Sequence, residues 1–480
     1  MDSIKMTTEQ QLPKGWKKTT LGEISIVKMG QSPNGKSYNK EKEGYLLIGG
    51  ASDLGDIYPS PKQYTNEATK LSKANDIIIC IRATIGRLNL SDKVYCLGRG
   101  VAGIEVNANV EAKFIWYSLM NSETYLLKNS TGTTFQQVSS HTLKKLPIVY
   151  PTSKETQQAI VNKIESLFAE IDAGIDSLKT AAQQIQQYRQ SLLKNAFNGE
   201  LTKEWRSKHA DTLPSENELL AQIQTTCEQH HAQQLADWQT AVSQWEQNGK
   251  EGKKPSKPKA PTQAVKFEEN FADLPRGWFN FSLDTLAEIS GGLTKNAKRG
   301  SFKEKVPYLR VANVYANELK LDEIATIGIQ ENEKARTLLK TNDLLIVEGN
   351  GSIEQIGRVA IWNNTINPCY HQNHLIKARC YPFVLPKFAL YFLISPMGRE
   401  RIINVASSTT GLHTLSLTKV ANLIIPVCSL AEQTEIVAIL ESKLTACDQL
   451  AAELSKQLKQ AELLKQAVLK AAFSGSLLDK

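Results

Sequence analysis

The chain has 480 residues, 41% hydrophobic and 22% charged, the composition of an ordinary globular protein of roughly two to four domains. No stretch reaches the roughly 18 consecutive apolar residues of a membrane span, and Met1–Gln11 is polar where a signal peptide carries an apolar core. The formal charge of +8 permits an acidic partner such as DNA without requiring one, and seven irregularly spaced cysteines suit a reducing cytoplasm.

Leu12-Pro13-Lys14-Gly15-Trp16 opens a first globular segment, residues 12–151. Short apolar runs such as Asp76–Ile81, bounded by Gly, Asn and Asp, read as strands, and Phe114–Met120 reads as a short helix. The segment is therefore a mixed α/β (α+β) domain. Two motifs in it mimic nucleotide sites. Gly30–Ser37 matches the phosphate-loop pattern G-x-x-x-x-G-K-S, but that loop needs a helix after it, and Tyr38–Gly44 is too short and polar to pack as one. A flexible basic loop near DNA is the better reading. Gly98–Gly103 matches G-x-G-x-x-G but leads into Ile104-Glu105-Val106, a strand.

Residues 152–201 read as one long helix. Ile160, Ile164, Leu167, Ile171, Ile175, Leu178, Ile185, Tyr188 and Leu192 recur at helical spacings, and Gly199 supplies the stop. At about 40 residues the helix is roughly 60 Å long, and so long an apolar stripe needs a partner of equal length. An insert follows, residues 202–273. Ser215 and Glu218 form a capping box opening a helix to about Gln247, whose Gln-rich face suggests solvent. Lys250–Pro261 reads as an extended Lys/Pro linker.

The second half repeats the first. Leu274–Trp278 returns the opening pentapeptide and begins a second globular segment, residues 274–428. Asn342–Ile346 answers Asn75–Ile79, Ile356-Gly357-Arg358 answers Ile85-Gly86-Arg87, and Thr410-Gly411 answers Thr131-Gly132. Pro307–Val311 is set against Gly44–Ile48, which puts Leu47 opposite Arg310 and Gly50 opposite Asn313; Ile425-Pro426-Val427 is set against Leu146-Pro147-Ile148. Pro386–Ile394 reads as a short helix. Residues 429–477 form the second long helix, with Ile436, Leu440, Leu444, Cys447, Leu454, Leu458, Ala461, Leu464 and Val468 on its stripe and Gly475 at its end. The helices correspond at a constant offset of 276 (433 − 157 and 477 − 201). Each is the natural partner of the other. Within the second segment, Asn367-Pro368-Cys369-Tyr370 reads as a turn rather than a methyltransferase motif, and the spacing of Cys369, His371, His374 and Cys380 fits no common zinc site.

The order of these motifs, present twice, resembles the specificity subunits of type I restriction–modification systems. The features are Leu-Pro-x-Gly-Trp, Tyr308–Val314, Asn342–Ile346, Ile356-Gly357-Arg358, the Ile425-Pro426 step, Glu432-Gln433 and Leu469–Leu477. The resemblance implies two target-recognition domains, each reading half of a bipartite, asymmetric DNA site. It also implies two antiparallel helices that hold them apart in a pseudo-twofold repeat and dock two methyltransferase subunits, with restriction subunits joining later. It implies a cytoplasmic, non-enzymatic chain with no cofactor and no metal; S-adenosylmethionine, ATP and Mg belong to partner subunits.

Candidate DNA-binding residues are basic or amide-bearing side chains in the loops between repeated strands. In the first domain these are Lys36, Arg82, Arg99, Thr134, Gln136 and Gln137; in the second, Lys295, Lys298, Arg299, Asn350, Ser352, His371, Gln372, His374 and His413. Arg and Lys suit guanine, Asn and Gln suit adenine, and any of them can serve phosphate instead. Two rival readings stand beside this one: an ATP-dependent DNA enzyme resting on Gly30–Ser37, and a stand-alone two-headed DNA-binding regulator.

Overall fold

The computed structural model describes residues 12–132, 136–250, 254, 255, 257, 258, 260, 262, 274–409 and 411–478. Two compact units emerge. One draws on residues up to Ala181 and from Glu453 onward; the other spans Ala182–Ala452. No helix among the described residues is long and apolar enough to cross a membrane.

Each unit holds the same four-stranded antiparallel sheet. In the first its order is Ser25–Met29, Val101–Val106, Ile77–Cys80, Leu88–Leu90. In the second it is Ala287–Gly291, Leu375–Cys380, Leu344–Val347, Val359–Ile361. The central runs Ile77–Cys80 and Leu344–Val347 are buried along their whole length, as a strand covered on both faces must be. A matched turn starts each. Asn75 and Asn342 both sit at φ 71°, where asparagine is tolerated. The carboxylates of Asp76 and Asp343 accept the N–H of Lys73 (2.8 Å) and Lys340 (2.7 Å). A second layer also repeats: Tyr45–Ile48 runs parallel to Cys96–Leu97, and Lys305–Leu309 parallel to Tyr370–His371.

The observed pairings correct two of the sequence alignments. Ile48 corresponds to Leu309, because the two carbonyls accept equivalent N–H groups, from Gly98 and Gln372. One residue is then extra in the first unit. Asp53 Oδ2 accepts the N–H groups of Gly49 and Gly50, and Asn313 Oδ1 accepts that of Arg310. Asp53 therefore does in the first domain what Asn313 does in the second. Likewise Ile148 faces Thr19 and Ile425 faces Phe281, so Ile148 corresponds to Ile425 and not to Val427.

The long helices run Lys154–Phe197, 44 residues, and Leu430–Ser474, 45 residues, about 66 Å each at 1.5 Å per residue. Equivalent buried glutamines fasten their first turns. Gln157 donates to the Pro151 carbonyl (2.8 Å) and accepts the Glu111 N–H (2.7 Å). Gln433 donates to the carbonyls of Cys428 and Phe383 and accepts the Leu385 N–H (2.9 Å). Their ends match too. Gly199 and Gly475 adopt φ of 80° and 83°, and a Cβ there would strike Pro275 and Pro13, the prolines of the repeated pentapeptides.

Within the second unit, Leu192, Leu193, Ala196 and Phe197 share a core with Ile436, Val437 and Leu440, while Arg189 pairs with Asp448. Within the first, Ile160, Val161 and Ile164 share a core with Val468, Leu469 and Ala472, while Asp172 pairs with Lys465. Numbers rise along one helix as they fall along the other, so the segments are antiparallel. Two stripe assignments are corrected: Tyr188 and Leu464 are exposed, and their neighbours Arg189 and Lys465 turn inward instead.

The insert helix is Glu216–Gln247, opened by the expected Ser215–Glu218 box. It is not free in solvent. Leu219, Ile223 and Cys227 pack into the core of the second unit, and His230 stacks edge-on against Tyr381. Arg206, just before it, pairs with buried Glu432, which also accepts from Thr202 (2.7 Å). The Lys250–Pro261 linker lies partly outside the described residues.

Candidate nucleic-acid interface

The ends of three neighbouring strands define one rim of each sheet. In the first domain that rim lies where Met29 and Cys80 finish and Val101 begins. The loops beyond are drawn together by backbone contacts. The Ile81 N–H donates to the Gly100 carbonyl (3.0 Å) and the Val138 N–H to the Ile81 carbonyl (2.9 Å). Arg82 bridges to Gln137, and the Arg99 N–H donates to Ser32 Oγ. Arg82, Arg99, Gln136 and Gln137 are thus collected on one rim, all exposed. Lys36 is exposed on the adjoining loop. Thr134 lies outside the described residues.

The second domain builds the same rim where Gly291 and Val347 finish and Leu375 begins. The Glu348 N–H donates to the His374 carbonyl (3.0 Å) and the Leu415 N–H to the Glu348 carbonyl (2.7 Å). Asn350 pairs across to His413, whose strand Leu412–Thr414 hairpins with Ser407–Thr409. Asn350 Oδ1 accepts the Ser352 N–H (2.9 Å). His374 Nδ1 lies 2.7 Å from Glu348 Oε2. Gln372, His374, Asn350, Ser352 and His413 are therefore gathered, with Lys295 and Lys298 exposed on the flanking loop.

Two candidates are corrected. Arg299 is buried, gripping both carboxylate oxygens of Glu333 (2.7 and 3.0 Å) and the carbonyls of Thr294 and Gly328. That bond holds the Glu333 carboxyl below the usual carboxylate range. His371 has no exposed surface; its Nδ1–H donates to the Leu375 carbonyl (2.8 Å). Burial pushes its pKa down to about 3. Both residues shape the fold beneath the rim rather than face a partner. Lys377, buried in the same sheet and donating to the Arg336 carbonyl (2.7 Å), is pushed down to about 8 by the loss of water.

One rim residue, Asn373, belongs to the polar run His371–His374 whose donors and acceptors suit base edges, but it is not among the candidates chosen from sequence. It occupies the position of Arg99, an equivalence that only the shared backbone bonding reveals. The phosphate-loop match at Gly30–Ser37 does not lead into an α-helix. A single 3₁₀ turn, Gly35–Ser37, passes straight into the strand Tyr38–Asn39. Gly98–Gly103 runs into the strand Val101–Val106.

Two copies of one domain are what a family comparison also finds. The type I restriction modification DNA specificity domain matches residues 13–179 and 275–460. The chain belongs to this specificity family. It is 23% identical to the type I restriction enzyme EcoKI specificity subunit of Escherichia coli K12, over 97% of this chain and 90% of that one. A chain from a structure of type I R-M complex assembly and conformational transition superposes with a TM-score of 0.66 at 16% identity, covering 98% and 100% of the two chains. The HsdS subunit from Thermoanaerobacter tengcongensis gives 0.54 at 17% identity, covering 97% and 98%. Specificity subunits recognise DNA, and catalysis sits in other subunits. Neither rival reading, the ATP-dependent enzyme or the stand-alone regulator, gains support from these relatives.

Proposed function

We propose that each globular domain reads one half of a split, asymmetric double-stranded DNA target, and that the long helices set the gap and dock two methyltransferase subunits. Restriction subunits join that complex, which acts in the cytoplasm. S-adenosylmethionine, ATP and Mg are held by the partners and not by this chain. One observation carries the reading: a single rim architecture is built twice, and equivalent positions carry different side chains. Two similar readers with different side chains suit two different half-sites. Exposed Lys36, Lys295 and Lys298 beside the rims suit phosphate, and the amide, Arg and His side chains on them suit base edges.

Methylome sequencing of cells expressing the chain with its methyltransferase partner tests this. The expected result is one bipartite motif with unlike halves and a fixed gap. A continuous motif, or methylation unaffected by deleting the chain, would overturn it.

A further inference from the structure

The tripeptides Gly98-Arg99-Gly100 and Gln372-Asn373-His374 share no sequence, yet they are held alike. The Gly98 N–H donates to the Ile48 carbonyl (2.8 Å), and the Gln372 N–H to that of Leu309 (2.9 Å). The Ile81 N–H donates to Gly100 and the Glu348 N–H to His374, both at 3.0 Å. The Val101 N–H closes the turn on the Gly98 carbonyl (3.1 Å), and the Leu375 N–H closes it on that of Gln372 (2.9 Å). Just before the turn, the Gln31 N–H donates to Leu97 (2.8 Å) and the Leu293 N–H to His371 (2.7 Å). Four matched bonds fix one backbone and leave only the side chains different.

The side chains then differ for a visible reason. A Cβ at Gly98 would lie 2.9 Å from the Ile48 carbonyl oxygen, and one at Gly100 would lie 2.1 Å from that of Gly49. The neighbouring backbone therefore admits only Arg99 as a projecting side chain. In the second domain Gln372 and Asn373 are half-buried and His374 is tied to Glu348. Neither Arg99 nor Asn373 spends its side chain on a hydrogen bond to protein among the described residues, although each sits at the centre of a rigid turn.

We propose that these turns are the matched specificity-determining elements of the two domains, with Arg99 reading a guanine in one half-site and Asn373 an adenine in the other. The proposal rests on the two-reader function above. The guanidinium fork matches guanine O6 and N7, and the asparagine amide matches adenine N6 and N7. A fixed backbone presenting an unlike side chain is the arrangement by which one scaffold reads two sequences.

The test uses the complex assembled with its methyltransferase partners and a randomised double-stranded DNA library. Arg99→Ala should lower discrimination at one guanine roughly tenfold and leave the other half-site intact. Asn373→Ala should do the same at one adenine of the other half-site. The near-isosteric Asn373→Asp should assemble normally and also lose that adenine preference. A uniform fall in affinity with the motif intact would assign both residues to phosphate and overturn the proposal. An unchanged motif in both variants would overturn it as well. A wild-type complex without any split motif would instead count against the two-reader function itself.

Discussion

His371 occupies, beneath the second rim, the place that Leu97 fills beneath the first. Its Nδ1–H holds the Leu375 carbonyl, and its buried Nε2 has no hydrogen-bond partner among the described residues. Its folded pKa, about 3, lies below the ordinary 6.5. Between those values the unfolded chain binds a proton that the folded chain refuses. The stabilisation is therefore complete above about pH 6.5 and drains away as pH falls toward about 3, by up to about 1.4 kcal/mol per pH unit. His371→Leu, copying the first domain, should flatten this dependence. Thermal unfolding of the wild type and the variant at about pH 5 and about pH 7.5 checks it; equal acid sensitivity of the two would refute it. The sequence shows why such residues mislead. Histidine and arginine in a Gly/Asn-rich loop look available, but Arg299 is claimed by Glu333, whose approach depends on tertiary folding. Arg82, Gln136 and Ser352 could be placed on loops because strand boundaries are local, whereas His413 lies within a strand and the match of Asn373 to Arg99 becomes visible only through cross-strand bonds.

The long helices were legible because a repeated stripe on a rod leaves few alternatives. The errors have one cause. Arg189 and Lys465 lie next to Tyr188 and Leu464, and a long aliphatic stem can fill an inward position while its charge reaches a partner. Each does so: Arg189 to Asp448 and Lys465 to Asp172, and Lys465 also lies 5.2 Å from the centre of the Phe168 ring. These are the same ion pair made twice, since 189 and 465, like 172 and 448, are repeat equivalents. Both alignment slips between the domains were of two residues, the period of a strand, so the facing of side chains could not expose them. The ion pairs are partly exposed and should each couple by about 0.2–1 kcal/mol. In a double-mutant cycle on unfolding free energy, Asp172→Lys and Lys465→Asp should each destabilise, and the swapped pair should recover most of the loss. Additive losses would mean that the two side chains do not interact.

At the scale of the whole molecule, the proposed function gives reading to the rims and distance to the helices. Inserting four residues after Gln184 and after its repeat equivalent Gln460 keeps the two helices matched and lengthens each by about 6 Å, nearly two base pairs at 3.4 Å each. Methylome sequencing should show unchanged half-sites and a longer gap. Altered half-sites with the old gap would mean that reading and spacing are assigned to the wrong parts. Domain order and helix ends were legible because the chain states them twice; the docking of the insert was not, since Leu219, Ile223 and Cys227 are few among many polar neighbours. The buried glutamines have one more consequence. Gln157 and Gln433 each tie a helix start to the domain beside it by hydrogen bonds that water cannot easily replace. Such a joint has little torsional freedom left to surrender when a target is bound. Adaptation is then asked of the nucleic acid as well, and the gap should be judged by how readily its base steps bend and twist.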